Sequence, residues 1–238
     1  MWTGPHMLRT DPFRAAACTL ALCLVTACGS TPSAPSLASR TPRRVVVLGD
    51  SLAVTPSMAE SFPAVLETRI AGAGLPWTVT NASVSGDTTA DGMSRYVPLL
   101  QQDVGILMLE LGANDGLQGV DVATVERNLN TMVEAAQSRG IRVLLCGMET
   151  PPLRTIGYSL AFHDVFPRVA LRYNVPLVPF LLAGVALIPE MNGPDLIHPN
   201  TAGARRIADN VWPYLEPMLR SSANADGRAV RSGMSLLR

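Results

Sequence analysis

The sequence contains no lysine: all 19 of its basic residues are arginines. That absence removes the lysine of a Walker A loop, a Schiff-base lysine and a serine–lysine dyad together. Charge of either sign is also lacking in excess, with 19 basic residues against 19 acidic ones and no block of like charge. Neither a nucleic-acid groove nor a polybasic membrane patch is indicated. Cysteine is scarce, with four in the chain and three of them before Gly29, so Cys146 stands alone afterwards and a disulfide framework is excluded. Set in Val143-Leu144-Leu145-Cys146, it reads as a small hydrophobe of a buried strand rather than as a nucleophile. Aromatic residues make up only 5%, no internal repeat is visible, and no apolar run is long enough to cross a bilayer as a helix. At 238 residues, 47% of them hydrophobic, the chain suffices for one good-sized core.

The N-terminus reads as a targeting segment. Arg9 and Arg14 precede an apolar stretch from Ala15 to Val25, a signal-peptide core. Leu24-Val25-Thr26-Ala27-Cys28-Gly29 resembles the bacterial lipobox, which makes residues 1–27 a lipoprotein signal peptide and Cys28 the lipid-bearing first residue. Cys23 follows the bulky Leu22, and Cys18 comes too early to leave a core ahead of it. The expected location is an exported bacterial lipoprotein, facing the periplasm or the cell surface; the alternative is an ordinary secretory signal and a soluble secreted or periplasmic protein. Met7 would serve as the start as well as Met1. Residues 28–42, rich in Ser, Thr, Pro and Ala, read as a flexible tether, residues 43–220 as the domain, and residues 221–238 as a disordered tail without periodicity.

Within the domain short apolar runs alternate with helical patterns. Candidate strands are 44–49, 77–82, 104–112, 142–148 and 176–180, each apolar enough to be buried on both faces, as parallel strands are. The segment from Asp121 to Gly140 carries the helical period through Val122, Val125, Leu129, Met132, Val133 and Ala136, with Gly140 suited to the C-terminal cap. A second helical pattern runs from Ser159 to Tyr173. A last one starts at Thr201, with Asn200-Thr201 as capping candidates and with Pro213 and Pro217 expected to bend or break its end. Right-handed crossovers then put helices on both faces, giving an α/β/α three-layer sandwich. Ligands of such sheets collect at the carboxyl ends of the strands.

Four segments fall on that edge: Gly49-Asp50-Ser51-Leu52, Val84-Ser85-Gly86-Asp87-Thr88, Gly112-Ala113-Asn114-Asp115-Gly116 and Asp195-Leu196-Ile197-His198-Pro199. A serine hydroxyl is a weak nucleophile, so it needs an imidazole to take its proton and a carboxylate to orient that imidazole. Ser51, His198 and Asp195 supply the three groups. A tetrahedral intermediate needs donors aimed at its oxyanion, and the Ser51 and Gly86 N–H groups with the Asn114 amide suit that role. Taken singly, Ser51 with Asp50 suits a helix cap, Gly86 a tight turn, Asn114 an Asx-turn and Asp195 a loop cap. Their conjunction points to catalysis. Asp87 and Asp115 are rivals for the carboxylate but better placed to brace the oxyanion loops. Glu110 and Glu149, at strand ends, read as support for the site, and His163 as a solvated or half-packed helical residue.

Ser51, Gly86, Asn114 and His198, in that order and those contexts, resemble the SGNH (GDSL) hydrolases, and residues 43–219 resemble the arylesterase, lysophospholipase L1 and acyl-CoA thioesterase I branch. Asn192 to Asp195, Val178-Pro179-Phe180-Leu181-Leu182 and Ala204-Arg205-Arg206-Ile207-Ala208 add to the likeness. The resemblance implies a flavodoxin-like sandwich on five parallel strands, catalysis by Ser51, Asp195 and His198, an oxyanion hole of Ser51, Gly86 and Asn114, and no metal or organic cofactor. It implies carboxylic esters, acyl thioesters or lysophospholipids as substrates. Two other readings use the same edge: a carbohydrate O-acetyl esterase of the cell envelope, and a non-catalytic module binding lipid or carbohydrate. The chain departs from the family in Ala53-Val54-Thr55-Pro56-Ser57, where a glycine-containing turn is usual, and after Pro151-Pro152. Both departures bear on the substrate pocket. Oligomeric state is left open.

Overall fold

The computed structural model describes residues 43–151 and 154–235, with side chains described as far as Ser221. The segments read as signal peptide and tether, with Cys28 between them, lie outside the described residues. The domain is built on strands β1 (Arg43–Gly49), β2 (Trp77–Asn81), β3 (Val104–Glu110), β4 (Arg142–Cys146) and β5 (Leu177–Val178), joined as one parallel sheet in the order β2-β1-β3-β4-β5. This is the flavodoxin-like order, whose chain reverses direction of winding between β1 and β3. The expected five-stranded parallel α/β sandwich is therefore found.

Burial along the central strands explains their apolar sequences. Val45 to Leu48 and Ile106 to Leu109 are at most 1% exposed, since helices cover both faces. β2 differs from the expectation of burial on both faces: it is an edge strand, and Thr78 to Asn81 are only half-buried. β5 is shorter than expected, two residues at the other edge.

The helices are α1 (Phe62–Gly72), α2 (Thr89–Arg95), α3 (Ala113–Gln118), α4 (Val122–Gln137), α5 (Ile156–His163), α6 (Val165–Tyr173) and α7 (Thr201–Ser235). α1 packs on α7, while α4 packs on α2, α5 and α6. α4 buries Val125, Leu129, Met132, Val133 and Ala136, and each large side chain so removed from water contributes about 2 kcal/mol. The helical pattern from Ser159 to Tyr173 resolves into two helices. Pro167 has no N–H to give the carbonyl of His163, and its ring crowds that carbonyl, so the chain restarts at Val165. α7 runs unbroken through Pro213 and Pro217, because both lie on the exposed face, where the carbonyls they leave unbonded meet water. Its backbone continues as helix to Ser235, whereas residues 221–238 were expected to be disordered. Asn200 caps the other end, its Oδ1 accepting from the N–H groups of Ala202 and Gly203.

Candidate active site

Ser51 opens a single 3₁₀ turn, Ser51–Ala53, at the carboxyl end of β1. The turn is fixed by Asp50, whose Oδ1 accepts from Leu52 N at 2.9 Å. Leu52 and Ala53 are buried, which leaves Ser51 pointing out of the core, half-exposed. Its Oγ lies 2.9 Å from His198 Nε2. On the other side of the ring Nδ1 lies 2.6 Å from Asp195 Oδ2. These contacts select the tautomer: Nδ1–H donates to the carboxylate, and Nε2 is free to accept from the serine hydroxyl.

The loop carrying Asp195 and His198 is tied to itself. Asp195 Oδ1 accepts from the backbone N–H of Ile197 and of His198, both at 3.0 Å. The hydrogen bond from the His198 side chain, then those two backbone donors, hold the Asp195 carboxyl well below the usual carboxylate range. It is ionised whenever the imidazole needs it. Leu196, between them, sits in left-handed backbone at φ 59°, and its carbonyl accepts from the N–H of Leu187, itself at φ 61°. Non-glycine residues hold such angles only where the surroundings enforce them. Both leucines line the cavity described below.

The candidate oxyanion donors come from three strand ends. Gly86, after β2, adopts φ 87°, open to glycine without steric cost. Asn114, in the first turn of α3 after β3, donates from Nδ2 to Asp50 Oδ2 at 3.1 Å and to the Asp87 carbonyl at 2.9 Å. The amide therefore bonds the residue before Ser51 and the residue after Gly86. Asp115 is buried and accepts from both N and Oγ1 of Thr89, locking α3 to the start of α2.

Two further groups brace the site: Arg95, which emerges only in three dimensions, and Glu110, expected from its strand-end position. Arg95 in the last turn of α2 pairs with Asp87 at 2.6 Å and donates to the carbonyls of Ala82 and Gly49, joining the ends of β1 and β2 around the site. The sequence signal that could have led to it is Thr88-Thr89-Ala90-Asp91, a capping box that is formed and that starts the helix carrying Arg95. Glu110 is fully buried beneath the serine turn, with Oε2 accepting from Asp50 N at 3.1 Å and Oε1 unpartnered. Gly49 is required above it, since a Cβ there would fall 2.1 Å from Glu110 Oε2.

Burial raises the Glu110 carboxyl well above its usual range, and the Asp50 charge pushes in the same direction; burial also lifts Asp50 to about 7. A carboxyl raised in the folded state contributes stability below its unfolded value near 4.5, and that contribution is lost as pH rises through the folded value. Glu110→Gln cannot lose it. The difference in melting temperature between variant and wild type should therefore move in favour of glutamine on going from pH 5 to pH 8. A pH-independent difference would show that Glu110 titrates normally.

Beside the serine turn opens a cavity of about 430 Å³, walled chiefly by apolar side chains including Leu52, Met148, Phe180 and Leu182. Glu149 lines this cavity, so unlike Glu110 it faces the space next to the nucleophile rather than bracing the site from beneath. Cys146 is fully buried, with its thiol pushed up by burial, and His163 is half-exposed on α5.

Fold and site define a class, a doubly wound α/β protein with a serine, histidine and aspartate in relay at the sheet's carboxyl edge. The sequence profile of the GDSL-like lipase/acylhydrolase family matches residues 47–206, and the chain belongs to that family. It is 39% identical over 178 residues to esterase TesA of Pseudomonas aeruginosa, covering 74% of this chain and 89% of that protein. To an arylesterase of Vibrio mimicus it is 36% identical, covering 74% and 90% respectively. Among solved structures it is similar to TesA, with a TM-score of 0.71, 38% identity and coverage of 74% of this chain and 99% of that one. The psychrotrophic esterase EstA from Pseudoalteromonas sp., solved inhibited by monoethylphosphonate, matches with a TM-score of 0.70 at 26% identity, over 75% of this chain and 99% of that one.

Proposed function

We propose that the protein hydrolyses carboxylic esters through an acyl-Ser51 intermediate. His198 Nε2 takes the hydroxyl proton as Ser51 Oγ attacks the carbonyl carbon, and returns it to the leaving oxygen or sulfur; a water activated the same way then releases the acid. Asp195 orients the ring and stabilises the imidazolium. The N–H groups of Ser51 and Gly86 and the Asn114 amide take the oxyanion. The observation that carries this reading is the in-line relay, Oγ to Nε2 at 2.9 Å and Nδ1 to Oδ2 at 2.6 Å.

The substrate arm that enters the cavity is apolar, as the walls are. Aryl esters, acyl thioesters and lysophospholipids all present such an arm, in keeping with the names of the relatives. A panel of p-nitrophenyl esters of increasing chain length, set beside an O-acetylated glycan, tests this. Rates for butyrate to octanoate should exceed that of the glycan acetate by about tenfold or more in kcat/KM, since each buried methylene adds discrimination. A preference for the glycan would instead establish the O-acetyl esterase. Absence of both turnover and phosphonate labelling in folded protein would leave the binding module.

We also propose export as a lipoprotein anchored through Cys28, from Leu24-Val25-Thr26-Ala27-Cys28 after a signal-peptide core. Cys28→Ser should release the protein from the membrane fraction of the cell that makes it. Retention of the variant on the membrane would refute the anchor.

A further inference from the structure

Among the described residues, three polar ones line the cavity beside the serine turn: Glu149, Thr150 and Asp195. Two of them are committed elsewhere. Asp195 is occupied by the His198 ring and two backbone N–H groups, and the Thr150 hydroxyl donates to Ser159 Oγ at 2.6 Å. Glu149 differs. Its Oε1 lies 2.6 Å from His163 Nδ1, while Oε2 takes no protein donor among the described residues. Among the described residues no arginine lines the cavity. The nearby Arg154 is spent on the carbonyls of Gly116 and Leu117.

We infer that Glu149, held in place by His163, makes this cavity selective by charge: it takes ester arms that are neutral or end in an ammonium group, and disfavours arms ending in carboxylate or phosphate. The inference rests on the esterase reading and narrows its substrate class. A carboxylate set in an apolar wall acts through a lower effective dielectric than one in open water, so an anion brought beside it is repelled and a cation attracted more strongly than at a free surface. The partial exposure of Glu149 reduces the effect but does not reverse it. His163 fixes the carboxylate from outside the cavity, its imidazole half-exposed at the end of α5. With a neutral ring the pair carries one negative charge.

The test uses two matched sets of esters, one varied on the acyl arm and one on the alcohol arm. Each set contains a neutral member, a member ending in carboxylate and a member ending in trimethylammonium, all assayed at low salt and one fixed pH. In the wild type the cationic member should exceed the anionic one in kcat/KM by about tenfold in at least one set, with the ratio shrinking as salt is added. Glu149→Gln should cut that ratio at least about fivefold, each charged member being read against the neutral ester of its own set. His163→Gln, which leaves the carboxylate unpaired, should keep the ratio or widen it. A purely structural Glu149–His163 pair would lower the melting temperature in both variants without moving the ratio, and an unchanged ratio in Glu149→Gln overturns the inference. Neutral esters that fail to turn over in the wild type would refute the esterase reading instead, so the two failures are distinguishable.

Discussion

Ser51→Ala lowers kcat by about a thousandfold or more and leaves the melting temperature almost unchanged. The loss is large because without Oγ no acyl-enzyme forms, and the remaining groups of a serine relay can support only slow direct attack by water. Stability is spared because the Oγ makes a single side-chain hydrogen bond, to a half-exposed His198, and fills no part of the core. The ester binds in the cavity without using the Ser51 Oγ, so KM should move much less than kcat. Single-turnover kinetics with a p-nitrophenyl ester, together with labelling by a fluorophosphonate, read the outcome. Wild type should show a burst of nitrophenol and one label per chain; the variant should show neither. A variant that still hydrolyses at a tenth of the wild-type rate would move the nucleophile elsewhere. Among the described residues no thiol could replace it, since Cys146 is fully buried.

The sequence and the fold agree most closely where a local pattern and the tertiary environment ask for the same thing. β1, β3 and β4 are buried on both faces, and continuous apolar runs such as Val45 to Leu48 announced that burial. α4 could be placed nearly to the residue because its apolar stripe faces the sheet. The misjudged stretches are those where neighbours decide. Thr78 to Asn81 are half-exposed because β2 is an edge strand, and edge position is a property of the whole sheet. The break at Asp164 depends on what Pro167 does to a carbonyl four residues earlier.

The site divides in the same way. Ser51, Gly86, Asn114, Asp195 and His198 sit in short motifs whose chemistry is local enough to name. Asp50 and Arg95 gain their roles from contacts across 64 and 46 positions, Asp50 with Asn114 and Arg95 with Gly49, and no spacing rule reveals them. Glu149 looked like Glu110, an acid at the end of a buried strand. Glu110 closes β3 and lies under the serine turn, whereas Glu149 falls three residues beyond the end of β4 and lines the cavity.

Asn114→Ala should lower kcat by about a hundredfold or more with KM within about threefold. An oxyanion donor is strained toward charge that exists only in the transition state, so its removal falls on kcat. Asn114 has a second duty that makes the variant informative. Its two amide hydrogens are engaged by Asp50 Oδ2 at 3.1 Å and by the Asp87 carbonyl at 2.9 Å. An oxyanion must therefore share or displace one of these acceptors, and Asp50 is the weaker competitor whenever it is protonated, which burial favours up to a pH of about 7. Loss of the amide also strips a donor from a buried carboxyl, which costs about 1–3 kcal/mol of stability. Rate and melting temperature should consequently fall together in Asn114→Ala. In Asp50→Asn the single amide oxygen cannot accept from both Leu52 N and Asn114 Nδ2, as the two carboxyl oxygens do, so one buried donor is left facing the new NH2 group. The melting temperature should fall in this variant as well, while kcat should lie much closer to wild type than in Asn114→Ala, because the Asn114 amide itself is retained. If Asn114→Ala lost stability while its kcat stayed within threefold, the amide would be a brace between Asp50 and the Gly86 loop, and the oxyanion would be held by the Ser51 and Gly86 N–H groups alone.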